Sequence, residues 1–178
     1  PGHSIDMSRV ELPMMFNLHH PLNLEVIGAE AQHDNMQSAA YRVIWGFLRK
    51  CPASKVRFCI FDPKEGGGSV RMLSNFVNKM PDSYKRAVTQ MSRTEELLSC
   101  LKELEGQTLD FIRDRPDYDD LLDYNAHNPR RTEAITLLML YDFPLNADAR
   151  CLELLSSVMQ KGNRCGIYVV LCRNTAVE

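Results

Sequence analysis

The chain has 178 residues, 44% of them apolar, enough for one globular domain with a core of its own. A formal net charge of −2 and a pI near 6.3 argue against the basic field with which an isolated nucleic-acid-binding domain gathers phosphates. No apolar run reaches the roughly 18 residues of a membrane span, and no basic-then-apolar leader opens the chain, so no direct membrane insertion is expected of this segment.

Residues 1–6, before Met7, read as an appended remnant outside the fold, and residues 7–178 as a single domain cut from a longer protein. The six cysteines (Cys51, Cys59, Cys100, Cys151, Cys165 and Cys172) contain no C-x-x-C pair, and three lie in or beside apolar runs. They are expected to be reduced, buried thiols rather than a disulfide framework.

The first expected strand, residues 22–28, is apolar and ends at Gly28; a loop and a helix over about 36–50 follow it. That is the layout of a phosphate-binding loop, which needs Gly-x-x-x-x-Gly-Lys-Ser/Thr so that backbone N–H groups crowd the phosphates while the lysine and hydroxyl meet charge and Mg²⁺. Gly28 is in place, Ala29, Glu30, Ala31 and Gln32 fill the variable positions, and His33, Asp34 and Asn35 stand where Gly, Lys and Ser/Thr belong. An anion has replaced the cation, so conventional ATP binding is not expected. In the helix, Ala40, Val43, Ile44, Phe47 and Leu48 fall at helical spacing, widened by Tyr41 and Trp45.

A second strand over 55–62 alternates and then becomes continuously apolar, as a strand entering a buried parallel sheet does. Pro63 stops it. Gly66, Gly67 and Gly68 suit a flexible loop better than a displaced phosphate loop, having no strand directly before them and no Lys-Ser/Thr after. A short helical piece over 70–79 ends at Met80-Pro81. From Ser92, Glu95 and Glu96 mark the first turn of a long helix whose Leu97, Leu98, Leu101, Leu104, Leu109 and Ile112 form an apolar stripe to about Arg115. Residues 117–128 read as a short surface helix or ordered loop, and Pro129-Arg130-Arg131 as a linker. A third strand over 134–142 ends in a carboxylate, a helix over 148–161 leads to Gly162, and a fourth strand spans 166–172. Strands alternating with helices predict an α/β fold with a parallel sheet.

Asp62 and Asp142 both stand at carboxyl ends of strands, where open α/β sheets place ligands; the plainer role for each is a strand-end carboxylate that caps a helix or pairs with an arginine. His33 reads as a solvated loop histidine, and His19-His20 lack the partners a zinc site needs. Met36, Met139 and Met159 fall where core packing explains them. Arg130, Arg131, Lys161, Arg164 and Arg173 suit either a phosphate track or solvated ends of elements, and no basic stripe interleaved with aromatics is present.

The order of these pieces over about residues 12–174 resembles the motor domain of the FtsK/SpoIIIE/HerA translocases, RecA-like P-loop ATPases that include the ATPase modules of type VII secretion. The local matches, in the family's order, are His20-Pro21, Phe61-Asp62-Pro63-Lys64, Leu121-Leu122-Asp123-Tyr124-Asn125, Tyr141-Asp142-Phe143-Pro144 and the run from Lys161 to Ile167. The resemblance implies a RecA-like three-layer sandwich with strand order about first–fourth–third–second. The family's fifth strand, beside the first, has no room in the residues after the fourth. The first strand is then an edge or is covered by residues 10–18.

It further implies that Gly28 to Asn35 occupy the Walker A position, Asp142 the metal-holding Walker B aspartate, Phe143 the place of the catalytic glutamate, and Asn174 the sensor position. Arg164 and Arg173 become possible phosphate or inter-subunit contacts. ATP and Mg²⁺ serve the family, but no cofactor is expected here, because hydrolysis needs positioned phosphates, a metal and a group that orients water, and two of the three are damaged. The implied role is a degenerate module of a cytoplasmic DNA or protein translocase, tethered to a membrane only through other parts of its parent, whose partners are sister domains or subunits of a ring motor and the translocated substrate. The alternatives are an active motor domain completed by a neighbouring subunit, and an unrelated α/β domain that a different strand order would reveal.

Overall fold

The computed structural model describes residues 23–28, 33–63 and 77–174. In chain order these form β1 (Leu24–Gly28), α1 (His33–Lys50), β2 (Val56–Phe61), α2 (Asp82–Lys85), β3 (Val88–Met91), α3 (Thr94–Asp114), α4 (Leu121–His127), β4 (Ile135–Phe143), α5 (Ala149–Lys161) and β5 (Ile167–Asn174). Of the helix expected over 70–79, residues 77–79 are described, and of these 77–78 are helical. Residues 1–22, Ala29, Glu30, Ala31, Gln32, Lys64 and the three glycines at 66–68 lie outside the described residues, as does any covering of the first strand by residues 10–18.

All strand pairings are parallel, in the order β1-β5-β4-β2-β3. The four expected strands are present in the expected order. A further strand, β3, pairs with β2 at the edge opposite β1, so the described sheet has five strands, and the added one is not the strand the resemblance places beside the first. Its four residues, Val-Thr-Gln-Met, are too few for alternation to stand out, and only Met91 is buried.

Strand β4 explains why the sheet closes where it does. Eight of its nine residues are buried, because a central parallel strand covered on both faces reads as a continuous apolar run. Its side chains divide by parity. Leu137, Met139 and Tyr141, with Phe58, Ile60, Val170 and Cys172, meet Val43, Ile44 and Phe47 of α1. Leu138 and Leu140, with Phe61, Val169 and Leu171, meet Leu97, Leu101 and Leu104 of α3 and Leu155 and Val158 of α5. Helices on both faces of one sheet make the three-layer sandwich.

Two of the helices begin on side-chain caps. Asp148 accepts the Cys151 N–H at 2.8 Å ahead of α5, and Asp120 accepts the Asp123 N–H at 2.9 Å ahead of α4; each supplies a partner for a helix-terminal donor. At the turn into β5, Gly166 has φ of +75°, and a Cβ there would stand 2.4 Å from Leu121 Cδ2. Only glycine fits that position.

Candidate functional site

Because every strand is parallel, the residues singled out for chemistry gather by strand end. Gly28 lies opposite Asn174 and Ile27 opposite Arg173 across β1 and β5. Phe143 lies opposite Arg173 across β4 and β5, after an irregularity in register between Leu140 and Phe143. The backbone of His33, Asp34 and Asn35 forms the first turn of α1. The fold thus brings Gly28, Asp142, Phe143, Arg173 and Asn174 to the carboxyl edge of three adjacent strands, where open α/β sheets bind ligands. Asp62 ends β2 on the same edge, its N–H donating to Met91 O at 2.9 Å.

Asp142 is 1% exposed and its backbone is left-handed, with φ of +47°. Its carbonyl accepts the Leu145 N–H at 2.8 Å, which folds the chain sharply at the end of β4. Asn146, also left-handed at +57°, offers its carbonyl to the Thr94 hydroxyl at 2.9 Å, tying this turn to the start of α3. Asx residues tolerate the left-handed region better than other side chains, and such positions concentrate at functional sites.

A buried polar layer lies beneath this edge on the α1 face. Burial, with the Asp142 carboxylate nearby, pushes the Cys172 thiol up to about 12. Burial and the Asp62 carboxylate push the Tyr41 phenol up to about 12. Tyr141 is raised well above its ordinary value by burial and by Cys172, Tyr41 and Asp62. Burial foremost, and the two carboxylates second, keep these groups neutral. Sequence reasoning missed the layer: Tyr41 reads there as part of an apolar stripe, and Tyr141 and Cys172 as strand core. The signal available was Tyr141 directly beside Asp142 at a strand end.

Phe143 packs against the apolar cluster of the α3 and α5 face. Arg173, on the outer surface of the same edge, lies 3.8 Å from Glu25 of β1. Arg164 is elsewhere. It precedes β5 at the amino end of the sheet, and its guanidinium donates to the carbonyls of Asp119 at 3.2 Å and Tyr118 at 3.4 Å, so it is not brought to the nucleotide position of its own domain. Arg130 and Arg131 sit in an exposed turn at that same amino end. A cavity of about 780 Å³ also opens there, lined in part by Arg57, Arg86, Asp110, Arg115 and Glu133.

Among the described residues, no group of three or more His, Cys, Asp or Glu side chains is arranged to hold a metal ion. None of the described helices is long and apolar enough to cross a membrane.

The parallel sheet, in the order β1-β5-β4-β2-β3 and covered by helices on both faces, is a three-layer α/β sandwich, and comparison with solved structures gives it the RecA-like P-loop ATPase fold. The chain is similar to EssC (ATPases 2 and 3) from Geobacillus thermodenitrificans, with a TM-score of 0.64 and 13% identity over 90% of this chain and 30% of that one. It is similar to the pCW3 conjugation coupling protein TcpA, solved as a monomer with ATPγS, with a TM-score of 0.63 and 12% identity over 88% and 43% of the two chains. Thermomonospora curvata EccC (ATPases 2 and 3), solved with a signal sequence peptide, matches at a TM-score of 0.60 and 13% identity over 86% and 25%. The fold is therefore that of FtsK/SpoIIIE-type ATPase domains, and the chain spans well under half the length of each of these proteins. No family model matches the sequence, and no curated protein matches it.

Proposed function

We propose that this domain is a non-hydrolysing RecA-like module of an FtsK/SpoIIIE-type translocase, docking to sister ATPase domains of a multidomain DNA or protein motor rather than turning over ATP. The observation that carries the reading is the charge at the carboxyl edge of the sheet. Asp34 stands where the phosphate-binding lysine belongs and Phe143 where the glutamate belongs. Arg173, on the outer surface of that edge, lies within ion-pair distance of Glu25. A triphosphate needs concentrated positive charge, so these residues do not fit ATP. Loss of one preorganised electrostatic group costs about 10²–10³ in rate, and two are missing.

Calorimetric titration with ATP and a non-hydrolysable analogue, each with Mg²⁺, tests this. The natural domain gives no binding isotherm, whereas a variant carrying His33→Gly, Asp34→Lys and Asn35→Thr binds. Micromolar binding by the natural domain, about −8 kcal/mol, overturns the reading. It favours an active motor domain with residues supplied by a neighbouring subunit, for which the retained Asp142 and the surface-exposed Arg173 are the supporting features.

A further inference from the structure

Outside the strand-end site, one pair of reactive groups stands together. Cys59 of β2 and Cys100 of α3 are both half-buried and both line an open cleft of about 500 Å³ between α3 and the β2–β3 edge. Their facing follows from the periodicities of the two elements. Residues 57 and 59 lie on one face of the strand, and residues 100 and 103 lie one turn apart on the helix. Arg57 meets Glu103 at 3.8 Å, and on the adjacent rung Cys100 and Cys59 stand together at the cleft. Both cysteines also pack against the same apolar cluster, which fixes the strand against the helix.

We propose that Cys59 and Cys100 form a redox-active dithiol, in which Cys59 attacks a low-molecular-weight disulfide such as oxidised glutathione and Cys100 resolves the product into an intramolecular disulfide joining β2 to α3. In the first step the Cys59 thiolate bonds to one sulfur of the glutathione disulfide, whose S–S bond breaks. One glutathione leaves as a thiolate and takes up the proton that Cys59 gave up. In the second step the Cys100 sulfur bonds to Cys59, the second glutathione leaves, and the Cys100 proton goes to it. Two protein thiols are oxidised by two electrons, and one glutathione disulfide becomes two glutathione thiols.

The division of roles follows from the surroundings. The neighbouring Cys100 thiol holds the Cys59 thiol below its ordinary value against burial and Glu103, with Arg57 assisting. Cys59, burial and Glu103 push Cys100 well up. The thiol with more thiolate attacks first, and its partner resolves. Of the other cysteines, Cys151 and Cys172 are buried, and burial raises Cys165 and pushes Cys172 up to about 12.

The test is incubation of the whole chain with oxidised glutathione, acid quenching, intact-mass measurement and peptide mapping. The expected product has lost two hydrogen atoms and yields one cross-linked peptide pair containing Cys59 and Cys100. Cys100→Ser instead accumulates one stable glutathione on Cys59. Cys59→Ser slows modification at Cys100 by at least about tenfold. Circular dichroism confirms that both serine variants are folded. The proposal is overturned if the folded parent carries glutathione on Cys59 or Cys100 without forming the cross-link, or if Cys100 in Cys59→Ser reacts as fast as Cys59 does in the parent.

Discussion

The two ends of the sheet treat polar groups in opposite ways. At the amino end they are closed into partnered networks. Arg115 pairs with Glu133 and lies over the Tyr124 ring at 4.1 Å and the Phe111 ring at 5.2 Å. Asn125 donates to Glu133 O at 3.0 Å and accepts the Glu133 N–H at 2.8 Å, and the left-handed residue there is a glycine, Gly166. At the carboxyl end two carboxylates, Asp62 and Asp142, are buried at strand ends, and the left-handed residues are Asp142 and Asn146. The amino end is built for stability. The carboxyl end is where open α/β sheets bind ligands, and it carries the backbone cost such positions often show.

The largest effect expected of a substitution that tests this contrast is at Gly166. Alanine there meets both the left-handed penalty and the Leu121 side chain at 2.4 Å, so Gly166→Ala is expected to lose about 2–4 kcal/mol. Urea unfolding reads this as a lower midpoint at unchanged slope. A loss under about 1 kcal/mol would mean that α4 yields easily and that the amino end is not the rigid half.

The alternation of strands and helices was legible in the sequence because continuous apolar runs and helical stripes follow burial, whereas the strand order came from the family resemblance. Strand β3 was not legible, since an edge strand with only Met91 buried leaves almost no apolar pattern. The motif from Leu121 to Asn125 was legible as a family mark but not as a role. Its work, Tyr124 beneath Arg115 and Asn125 clamped on Glu133, depends on partners eight or more residues away. Arg164 shows the same limit: a cation in sequence carries no record of which sheet end it reaches.

A second contrast sets two arginines against each other. Arg115 has an ion pair and two aromatic faces, and its side chain is 26% exposed; Arg173 has an ion pair at 3.8 Å and is 44% exposed. Arg115→Ala is expected to cost about 1–2 kcal/mol, combining a cation–π contact with a part-buried ion pair. Arg173→Ala is expected to change stability by less than about 0.5 kcal/mol. Equal losses in parallel urea titrations would erase the distinction between a structural and a surface-available cation.

The smallest effect lies at the carboxyl-end terminus of α3, the helix whose other terminus leads to Arg115. The Glu96 carboxylate accepts the Ser92 N–H at 3.0 Å, the Arg93 guanidinium at 2.7 Å and the Arg93 N–H at 3.2 Å. These bonds, the Ser92 one foremost, hold its pKa at about 2 instead of 4.5. A carboxylate whose folded value is depressed stabilises the fold fully above the unfolded value, and that contribution fades as pH falls from 4.5 toward 2. Glu96→Gln keeps the size of the side chain and one acceptor but loses the charge that favours a helix N-terminus. The variant is expected to melt slightly below the parent at neutral pH, with the gap closing through that acid range and shrinking in high salt because the group is exposed. A gap that persists unchanged at pH near 2 would show that Glu96 acts through packing and not through charge, and that the polar groups of this end are structural too.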